Sequence, residues 1–540
     1  MPLAVRGPIL FTDTEMKSGA EPALSIQERT PAGRSARKDV VILFFPNPTP
    51  GDATQVRVPY SLLYLERALR NLGVEVVLLD EQQQPDYSTI LAAHSDRLLL
   101  AGVSSLTGEQ IYGGIAFSKK VRESCDAPIV WGGWHPTLLP EQTLQEPYID
   151  YVVVGQGERP LRQLVDRLRE GDNTSDIPGL GFKHNGAVTV NPPAPLDDIN
   201  AFPRINLGAL DLKKYLNRSR LPEHFIGYFA SHGCPLDCSF CCIGEIYHRR
   251  WQHKPVAQII EELRFLKEQV GVDSLLFEDD NFFVRAQFAR ELAHSMIDAG
   301  LNLKWETSAH AHIFTMAYTD DDLRLFAESG CQQIYIGAES GDQEALDLLN
   351  KRATVGETLR FIEMLARHGI TPRLSTMVCL PTESGRDLDL TLDMLRRAKL
   401  MQRSVRASIF FFTPYPGTRL YERAEEKGFV PPQQLSGWAH HTLRRFKAPW
   451  APKGIDWRLE LFANFYLPLV DPNFYRLVRS SKIRPIVFLV NKFFFPIAWL
   501  RFKTNYFRFP VEAAMFLRLL RLYNKLTGSN FCLGNGSYVD

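Results

Sequence analysis

Apolar runs and amphipathic stretches alternate over the first third of the chain. Residues 40 to 45 form a continuous apolar run, as in a parallel strand buried on both faces. Leucines at near-helical spacing over residues 60 to 72 and a second apolar run over residues 74 to 79 follow. Strand, helix and strand in this order predict a doubly wound α/β sheet. The alternation continues with predicted strands at 98–103, 128–131 and 151–154 and a helix at 109–123.

A second alternation of strands and helices begins at residue 225. Repeated βα units with apolar strands indicate a parallel barrel, open or closed. The predicted strands are 225–230, 274–278, 303–308, 332–337, 372–379 and 406–412. The predicted helices are 255–270, 285–299, 319–329, 342–350, 355–368 and 385–400.

The regions outside these two alternations differ from them in composition. Residues 1–38 mix Gly, Pro, Ser, Glu and Arg with little periodicity, which predicts a disordered leader. We expect a Rossmann-like sheet domain at 39–185, a linker rich in Asn, Asp and Pro at 186–224, and the barrel at 225–429. Residues 430–540 are expected to form a mainly helical extension. Because 540 residues exceed what one hydrophobic core usually supports, several domains are expected.

Charge and cysteine content narrow the classes of function. The chain has 62 basic and 61 acidic residues, and this balance argues against a general nucleic-acid-binding surface. Eight cysteines in a chain of this length, three of them clustered, favour a reducing compartment over a disulfide scaffold. A cytoplasmic protein is therefore expected, without a nucleic-acid partner.

Three of the cysteines form a compact motif at the start of the barrel. Cys234, Cys238 and Cys241 have the spacing C-x3-C-x2-C, and the glycine and proline beside Cys234 favour an irregular loop that turns the sulfurs inward. Because iron-sulfur clusters normally take four cysteines, a set of three would leave one iron without a protein ligand. A zinc site is the alternative, with a fourth ligand from the nearby His232, His248, His253 or Cys242.

The motif, with aromatic Phe240 just before its last cysteine, resembles the C-x3-C-x-aromatic-C signature of the radical S-adenosylmethionine superfamily. The resemblance implies that Cys234, Cys238 and Cys241 hold a 4Fe-4S cluster whose open iron chelates S-adenosylmethionine. It also implies a partial (β/α)6 TIM-like barrel, in agreement with the six predicted strands. In the family, one-electron reduction by an external reductant yields a 5'-deoxyadenosyl radical.

Further segments of the barrel resemble the family's S-adenosylmethionine contacts. Glu278 and Asp279 end one predicted strand, where the family loop meets the amino group of S-adenosylmethionine; the Asp280 and Asn281 that follow are also good N-cap residue types. The segment 337–341 resembles the family's Gly-Ile-Glu-Ser-Gly element, in which polar side chains and backbone meet the nucleoside or methionine part. The residues implied as S-adenosylmethionine contacts are Phe240, Glu278, Asp279, Gly337, Glu339, Ser340 and Ser375.

Polar and glycine-rich loops follow three strands of the first domain. Ligands of open α/β sheets lie beyond the carboxyl ends of the strands, although one such loop on its own indicates no more than a tight turn. Together the loops resemble the cobalamin-binding domain that precedes many radical S-adenosylmethionine enzymes. The implied cobalamin contacts are Ser104, Leu106, Thr107, Gly132, Gly133, Gly155, Gly157 and Glu158.

The sequence lacks one motif by which other cobalamin proteins bind the cobalt ion. The loop from Asn47 to Asp52 lacks the Asp-x-His-x-x-Gly motif that supplies the lower axial histidine. His135 lies on a different loop and is not assigned to that role. Cobalamin is therefore expected to bind without such a histidine, and a domain that has kept the fold but lost the cofactor is the alternative.

Three residues near the predicted barrel mouth are candidates for catalysis. His310 and His312 follow the third barrel strand and could relay protons or contact substrate. Tyr415 lies in a segment that resembles the family's Pro-Tyr-Pro-Gly-Thr element. The competing interpretation makes the histidines polar loop residues and gives Tyr415 a packing role.

The C-terminal region is strongly basic and aromatic. Between Phe474 and Lys525 it carries eleven basic residues against one acid, Glu512. Asn491, Lys492 and Pro496 interrupt its apolar run, so it is not expected to span a bilayer. The segment 474–525 could lie on an anionic membrane surface or meet a hydrophobic substrate, and a helical cap packed on the barrel is the equal alternative.

The resemblance predicts a cobalamin-dependent radical enzyme that methylates an unactivated carbon of a small, hydrophobic substrate. A radical cyclase or another oxidative rearrangement on a lipid or tetrapyrrole is the alternative. A non-catalytic cobalamin or redox sensor is a third interpretation. A methylthiotransferase is disfavoured because the sequence has no cysteine before Cys125.

Overall fold

The structure is a computed structural model. It describes residues 38–48, 56–217, 224–382, 385–442, 446–455, 459, 461–472, 484–507 and 509–527. The predicted leader, except for Lys38, lies outside these ranges, and so does most of the loop after the first strand. The described part contains two sheet domains and a helical extension, which confirms the predicted fold class.

The first domain is a seven-stranded sheet in the order β2-β1-β3-β4-β5-β6-β7. Its strands are β1 Val40–Phe45, β2 Glu75–Asp80, β3 Leu98–Ser104, β4 Ile129–Gly132, β5 Tyr151–Val153, β6 Leu180–His184 and β7 Ala187–Val190. Its helices are α1 Tyr60–Leu69, α2 Ser88–His94, α3 Gln110–Ser124, α4 Trp134–Leu138, α5 Pro140–Leu144 and α6 Glu158–Glu170. Strands β1 to β5 are parallel, and their apolar side chains are buried on both faces.

Two strands at the edge of this sheet were not predicted. Strand β6 is antiparallel to β5, and β7 is antiparallel to β6. The turn between them places Asn185 at φ 49° and Gly186 at φ 79°, and Asn-Gly is the preferred pair for such a hairpin turn. The sheet therefore continues past the predicted boundary at 185, and the predicted linker at 186–224 begins with its last strand.

The second domain is an open barrel of six parallel strands in the order β15-β14-β13-β12-β11-β8. Its strands are β8 Phe225–Tyr228, β11 Ser274–Phe277, β12 Lys304–Ala309, β13 Cys331–Glu339, β14 Thr371–Val378 and β15 Arg406–Phe411. The short strands β9 Ser231–Gly233 and β10 Trp251–His253 form a separate antiparallel pair. The helices are α7 Ile243–Ile246, α8 Val256–Phe265, α9 Ala286–Asp298, α10 Ala311–Ala317, α11 Asp320–Glu328, α12 Gln343–Leu348, α13 Val355–Arg367, α14 Asp387–Met401 and α15 Arg419–Glu426.

The C-terminal extension packs on both domains. A short helical turn, Leu435–His440, buries Leu435 and Trp438 in the core of the first sheet. Farther on, α16 Leu467–Leu469, α17 Arg484–Thr504 and α18 Val511–Thr527 pack their inner residues on the barrel core. Within the described residues, the apolar helices are too short or too often interrupted by charge for a membrane crossing.

Candidate cluster and cofactor site

The strand that enters the barrel leads directly into the cysteine loop. After β8, residues 231–233 pair with β10, and Gly233 ends this pair with φ 82°. A Cβ at Gly233 would lie 2.1 Å from the backbone oxygen of Arg250. Only glycine fits a position that has both a left-handed backbone and such a close neighbour. The chain is thereby turned sharply just before Cys234.

Several elements of the barrel hold the loop in place through Asp237, which lies between the first two cysteines. The Arg249 guanidinium is 2.8 Å from its carboxylate, and Arg419 is 3.1 Å from the other carboxylate oxygen. Asn350 donates to the Asp237 backbone oxygen at 2.6 Å, and Arg419 donates to the same oxygen at 2.7 Å. Two of these three partners, Asn350 and Arg419, lie more than a hundred residues along the chain from the loop that they position.

The three cysteines carry free thiols in a partly buried loop. Burial raises the pKa of the Cys234, Cys238 and Cys241 thiols, so the metal-free loop keeps them protonated and metal binding must displace the protons. Asn281 directs its amide nitrogen at the Cys234 sulfur, 3.7 Å away. This set of three soft sulfur donors fits a cluster ligand set with one open iron.

The zinc alternative requires at least three ligands around one ion. In the described part of the chain, no three His, Cys, Asp or Glu side chains converge closely enough to hold a single metal ion.

The acidic segment after β11 supports the approach to the cysteine loop. Asp279 accepts hydrogen bonds from the Ser231 hydroxyl and, at 3.2 Å, from the Ala230 backbone nitrogen. Asp280 accepts from the Gly233 backbone nitrogen at 2.8 Å. Burial raises the pKa of Asp279 to about 7 and that of Asp280 to about 6. The alternative interpretation gave Asp280 only a helix-capping role, but its carboxylate also holds Gly233, the residue just before Cys234.

Glu278 and Asp279, both predicted as S-adenosylmethionine contacts, line one cavity of about 710 Å³. The Glu278 carboxylate lies over Gly227 of β8, where an added Cβ would come within 2.7 Å of it. Gly227 therefore leaves the space that the Glu278 side chain occupies. A carboxylate at this cavity wall can bind a cationic group such as an ammonium.

A buried ion pair lies on the other side of the cysteine loop. Lys351 is 2.7 Å from Glu339, and both side chains are less than one-tenth exposed. Burial lowers the pKa of Lys351, but Glu339 and the Cys238 thiol together raise it above its ordinary value. The ammonium lies 5.8 Å from the centre of the Phe240 ring, and a Cβ at Gly337 would approach it to 2.8 Å. Three predicted residues, Phe240, Gly337 and Glu339, thus meet around Lys351, which sequence reasoning missed.

The remaining two predicted S-adenosylmethionine contacts differ in position. Ser375 lies on β14 in register with Gly337 and is partly exposed. Ser340 is fully buried, and its hydroxyl bonds to Thr391 at 3.2 Å and accepts from the Asp342 backbone nitrogen at 3.1 Å. The Ser340 hydroxyl thus fixes the turn after β13, and its contact with S-adenosylmethionine stays a prediction.

The three candidate catalytic residues lie outside the cavity lining. His310 bonds to the Lys351 backbone oxygen at 2.8 Å, and burial together with Lys351 lowers its pKa to about 3. His312 is partly exposed and pairs with Glu357 at 2.7 Å. Burial raises the pKa of Tyr415 to about 12. The structure thus favours the structural interpretation for His310 and His312, and it brings Tyr415 close to Cys242 rather than into the cavity.

The cavity lies between the two domains and is lined by both. Its lining includes seven of the eight predicted cobalamin contacts: Ser104, Leu106, Gly132, Gly133, Gly155, Gly157 and Glu158. Gly133 has φ 99°, and a Cβ there would lie 2.6 Å from the Ser105 backbone oxygen, so this loop requires glycine. Apolar side chains of the sheet, such as Leu43 and Phe45, complete this wall. The glycine loops and apolar wall suit a large, flat cofactor.

The eighth predicted contact, Thr107, points away from the cavity. Its hydroxyl lies 3.0 Å from Nδ1 of His135, which is fully buried. Burial and His441 lower the pKa of His135 to about 3, and its ring packs against Trp438. His135 is not part of the cavity lining.

Sequence reasoning also missed the wall that α1 contributes. Tyr60, Tyr64 and Arg67 recur at helical spacing on this helix and line the cavity. Arg67 is buried against Glu158 at 3.0 Å, and the Tyr64 hydroxyl bonds to His232 at 2.8 Å. The spacing of two tyrosines and an arginine after Pro59 was the available signal. These contacts join the first domain to the strand that leads into the cysteine loop.

The cavity reaches this loop without including its cysteines. Tyr247, Arg250 and Asp280 line it, and each contacts Gly233 or lies against it. None of the three cysteines is in the lining itself. Fold and site together define a class of protein in which a doubly wound sheet faces a partial barrel across one cofactor-sized cavity.

Comparison with known proteins gives the family. The family model described as the radical SAM superfamily matches residues 228–395, and the one described as a B12 binding domain matches residues 52–165. The chain therefore carries a radical SAM domain over residues 228–395, preceded by a B12 binding domain over residues 52–165.

Two curated relatives and one solved structure show which kinds of protein this chain is similar to. An uncharacterized methyltransferase of Pyrococcus horikoshii is 30% identical over 55% of this chain and 62% of that protein. An anaerobic magnesium-protoporphyrin IX monomethyl ester cyclase of Synechocystis is 26% identical over 78% of this chain and 83% of that protein. The radical S-adenosylmethionine methyltransferase TsrM of Kitasatospora setae, solved with cobalamin and a [4Fe-4S] cluster, has 20% identity and a TM-score of 0.61 over 73% of this chain and 80% of TsrM.

Proposed function

We propose that the chain is a cobalamin-dependent radical S-adenosylmethionine enzyme that methylates an unactivated carbon of a small, hydrophobic molecule. One observation carries the proposal. A single cavity is lined on one side by the glycine loops of the B12 binding domain and on the other by Glu278, Asp279 and Asp280 beside the cysteine loop. Both cofactors would thus share one space, as a transfer between them requires.

In the proposed site, Cys234, Cys238 and Cys241 would hold the cluster. Asn281 orients the Cys234 sulfur, and the contacts on Asp237 keep the loop rigid. Glu278 binds the ammonium of S-adenosylmethionine at the cavity wall. When bound, the cluster, S-adenosylmethionine and cobalamin supply the radical and methyl-transfer chemistry, while the protein binds, orients and excludes water.

The first domain is proposed to hold cobalamin through backbone and shape. Gly132, Gly133, Gly155 and Gly157 present no side chains, which lets a large ring approach the carboxyl ends of β4 and β5. Apolar side chains, including Leu106, exclude water from its faces. This arrangement supports binding without an Asp-x-His-x-x-Gly histidine on cobalt.

The proposed radical reaction requires an electron donor and a substrate. A radical enzyme of this kind needs a one-electron donor, and we propose that an external reductant supplies it. The apolar side chains in the cavity wall, such as Val58, Phe229 and Ile246, support a hydrophobic substrate. The free cysteines of the described residues fit a cytoplasmic location.

A cyclase remains the second candidate, because a cyclase is among the relatives of this chain. Methyl-labelled S-adenosylmethionine separates the two reactions. A methyltransferase places the label in its product, whereas a cyclase consumes the cofactor without transferring the methyl group. A sensor would do neither.

The first test is reductive cleavage of S-adenosylmethionine by the anaerobically reconstituted chain, measured as 5'-deoxyadenosine. Replacing Cys234, Cys238 or Cys241 by Ala should abolish cleavage, because each removes a cluster ligand. Cys242→Ala is the matched control, since it removes the buried neighbouring thiol and should leave cleavage intact. Full cleavage in any of the three ligand variants would refute the assignment.

A further inference from the structure

The two C-terminal helices, α17 and α18, carry large apolar side chains that are not buried in the protein core. Helix α17 buries Ala498 and Phe502 completely, yet Phe493 is 70% exposed. Helix α18 buries Ala513 and Leu517, yet Leu519 is 58% exposed. Each helix therefore has a second apolar face that points into solvent.

These exposed residues follow the same spacing in both helices. The positions i, i+4, i+8 and i+11 hold Leu489, Phe493, Ile497 and Leu500 in α17 and Val511, Met515, Leu519 and Leu522 in α18. Because a helix turns by about 100° per residue, each set forms one stripe, roughly opposite the buried residues of its helix. Both outer stripes, made of these eight residues, point away from the barrel.

The helices that carry the stripes are fixed to each other and to the barrel. Arg501 of α17 pairs with Glu512 of α18, and the Phe494 and Phe516 rings are 5.7 Å apart. Arg396 of α14 donates to the Phe502 backbone oxygen at 2.9 Å. The outer stripes are therefore displayed on a supported surface. Isolated exposed apolar residues are ordinary, but a continuous patch marks an interaction site.

Basic residues flank the outer stripes. Lys492 and Lys503 are exposed on α17, and Arg518 and Lys525 are exposed on α18. The acid of these two helices, Glu512, is bound by Arg501 and by the Tyr466 hydroxyl at 2.8 Å. The surface thus combines apolar side chains with exposed positive charge, which suits an anionic lipid surface.

We propose that the outer stripes dock this protein on an anionic bilayer, with α17 and α18 lying in the interface. The apolar side chains would enter the acyl boundary while the flanking lysines and arginines meet the lipid headgroups. Such a location would hold the enzyme where hydrophobic substrates collect. The inference rests on the helices alone and is independent of the reaction proposed for the cavity.

Vesicle co-sedimentation of the full chain tests this inference. We expect binding to vesicles of phosphatidylcholine with about one-third phosphatidylglycerol, and much weaker binding to phosphatidylcholine alone or at high salt. Phe493→Gln should weaken binding about tenfold. The double variant Arg518→Gln with Lys525→Gln should weaken it by on the order of thirtyfold, since each charge near the surface is worth about 1 kcal/mol.

A matched control distinguishes binding through the outer stripes from nonspecific binding of any exposed apolar side chain. Met316, on the barrel, is 73% exposed, so Met316→Gln removes a similarly exposed apolar side chain and should leave binding unchanged. Circular dichroism and the unfolding midpoint should be unaltered in all variants. Absence of binding to anionic vesicles would overturn the proposal. So would a concentration-dependent dimer that Phe493→Gln dissociates, because the stripes would then be an interface between copies of this chain.

Discussion

Gly233 shows how one residue can control the cluster site. It combines φ 82° with a backbone oxygen 2.1 Å from where a Cβ would be. We predict that Gly233→Ala costs more than the usual ~1–2 kcal/mol for a left-handed residue, because the Arg250 backbone must also move. Iron bound per chain after anaerobic reconstitution should fall strongly.

Gly244 provides the control for this change. It follows the cysteines in α7, and its added Cβ would have no neighbour closer than 3.6 Å. Gly244→Ala should therefore keep the iron content of the unaltered chain. If both variants retained iron equally, the shape of the Gly233 turn would not matter for the cluster.

Asp279 leads to a prediction about pH. Burial raises its pKa to about 7 in the folded chain, whereas the unfolded value is near ~4. Between these pH values the folded state holds a proton that the unfolded state has lost, so the contribution of Asp279 to stability falls as pH rises toward 7. An asparagine side chain cannot ionise, so the Asp279→Asn variant lacks this dependence.

The measurement is the free energy of unfolding of the metal-free chain and of Asp279→Asn between about pH 5 and about pH 8. The stability of Asp279→Asn relative to the unaltered chain should rise up to about pH 7 and then level off. A constant difference across this range would show that Asp279 is ionised in the folded chain throughout.

Among individual residues, those that belong to a contiguous sequence motif could be predicted best. The cysteine spacing and the acidic strand end are contiguous in the chain, so their place could be read from the sequence. Lys351 could not be assigned, because its role arises from Glu339 twelve residues earlier and from Phe240 on a different element. The hydrogen bond of Ser340 could not be predicted for a similar reason, since its partner Thr391 lies on α14.

Among the elements, the helical turn at Leu435–His440 links the extension to the first sheet. Trp438 is 1% exposed, packs against the His135 ring and donates to the Gln142 side chain at 2.7 Å. We predict that Trp438→Ala destabilises the protein by about 3–5 kcal/mol, the usual cost of emptying a large core site. Chemical denaturation would measure the change.

A milder substitution isolates the hydrogen bond. Trp438→Phe keeps most of the ring but loses the bond to Gln142, so its cost should be nearer ~1 kcal/mol. Limited proteolysis near residue 440 should increase in Trp438→Ala only. Unchanged proteolysis in Trp438→Ala would mean that this turn does not hold the extension on the sheet.

The periodicity of the elements explains what could be predicted at this level. Strands buried on both faces and helices with one apolar face give strong signals, and the six barrel strands lie where the pattern indicated. Strands β6 and β7 were missed because they are short and partly exposed, and so lack a long apolar run. Their Asn-Gly turn was the overlooked signal.

For the whole molecule, the decisive feature is the cavity shared by the two domains. The sequence indicated which loops belong to each domain, but their meeting depends on contacts between distant segments. Arg67 with Glu158 and Tyr64 with His232 are such contacts. The cavity follows from the way the two sheets pack, which no local pattern records.

The most direct test measures cobalamin and cluster together in one anaerobic preparation of the full chain. We predict about one cobalamin and one 4Fe-4S cluster per chain, with 5'-deoxyadenosine formed under reducing conditions and label from methyl-labelled S-adenosylmethionine appearing on a carbon of the product. Vigorous formation of 5'-deoxyadenosine by a chain that binds no cobalamin at saturating concentration would contradict this account.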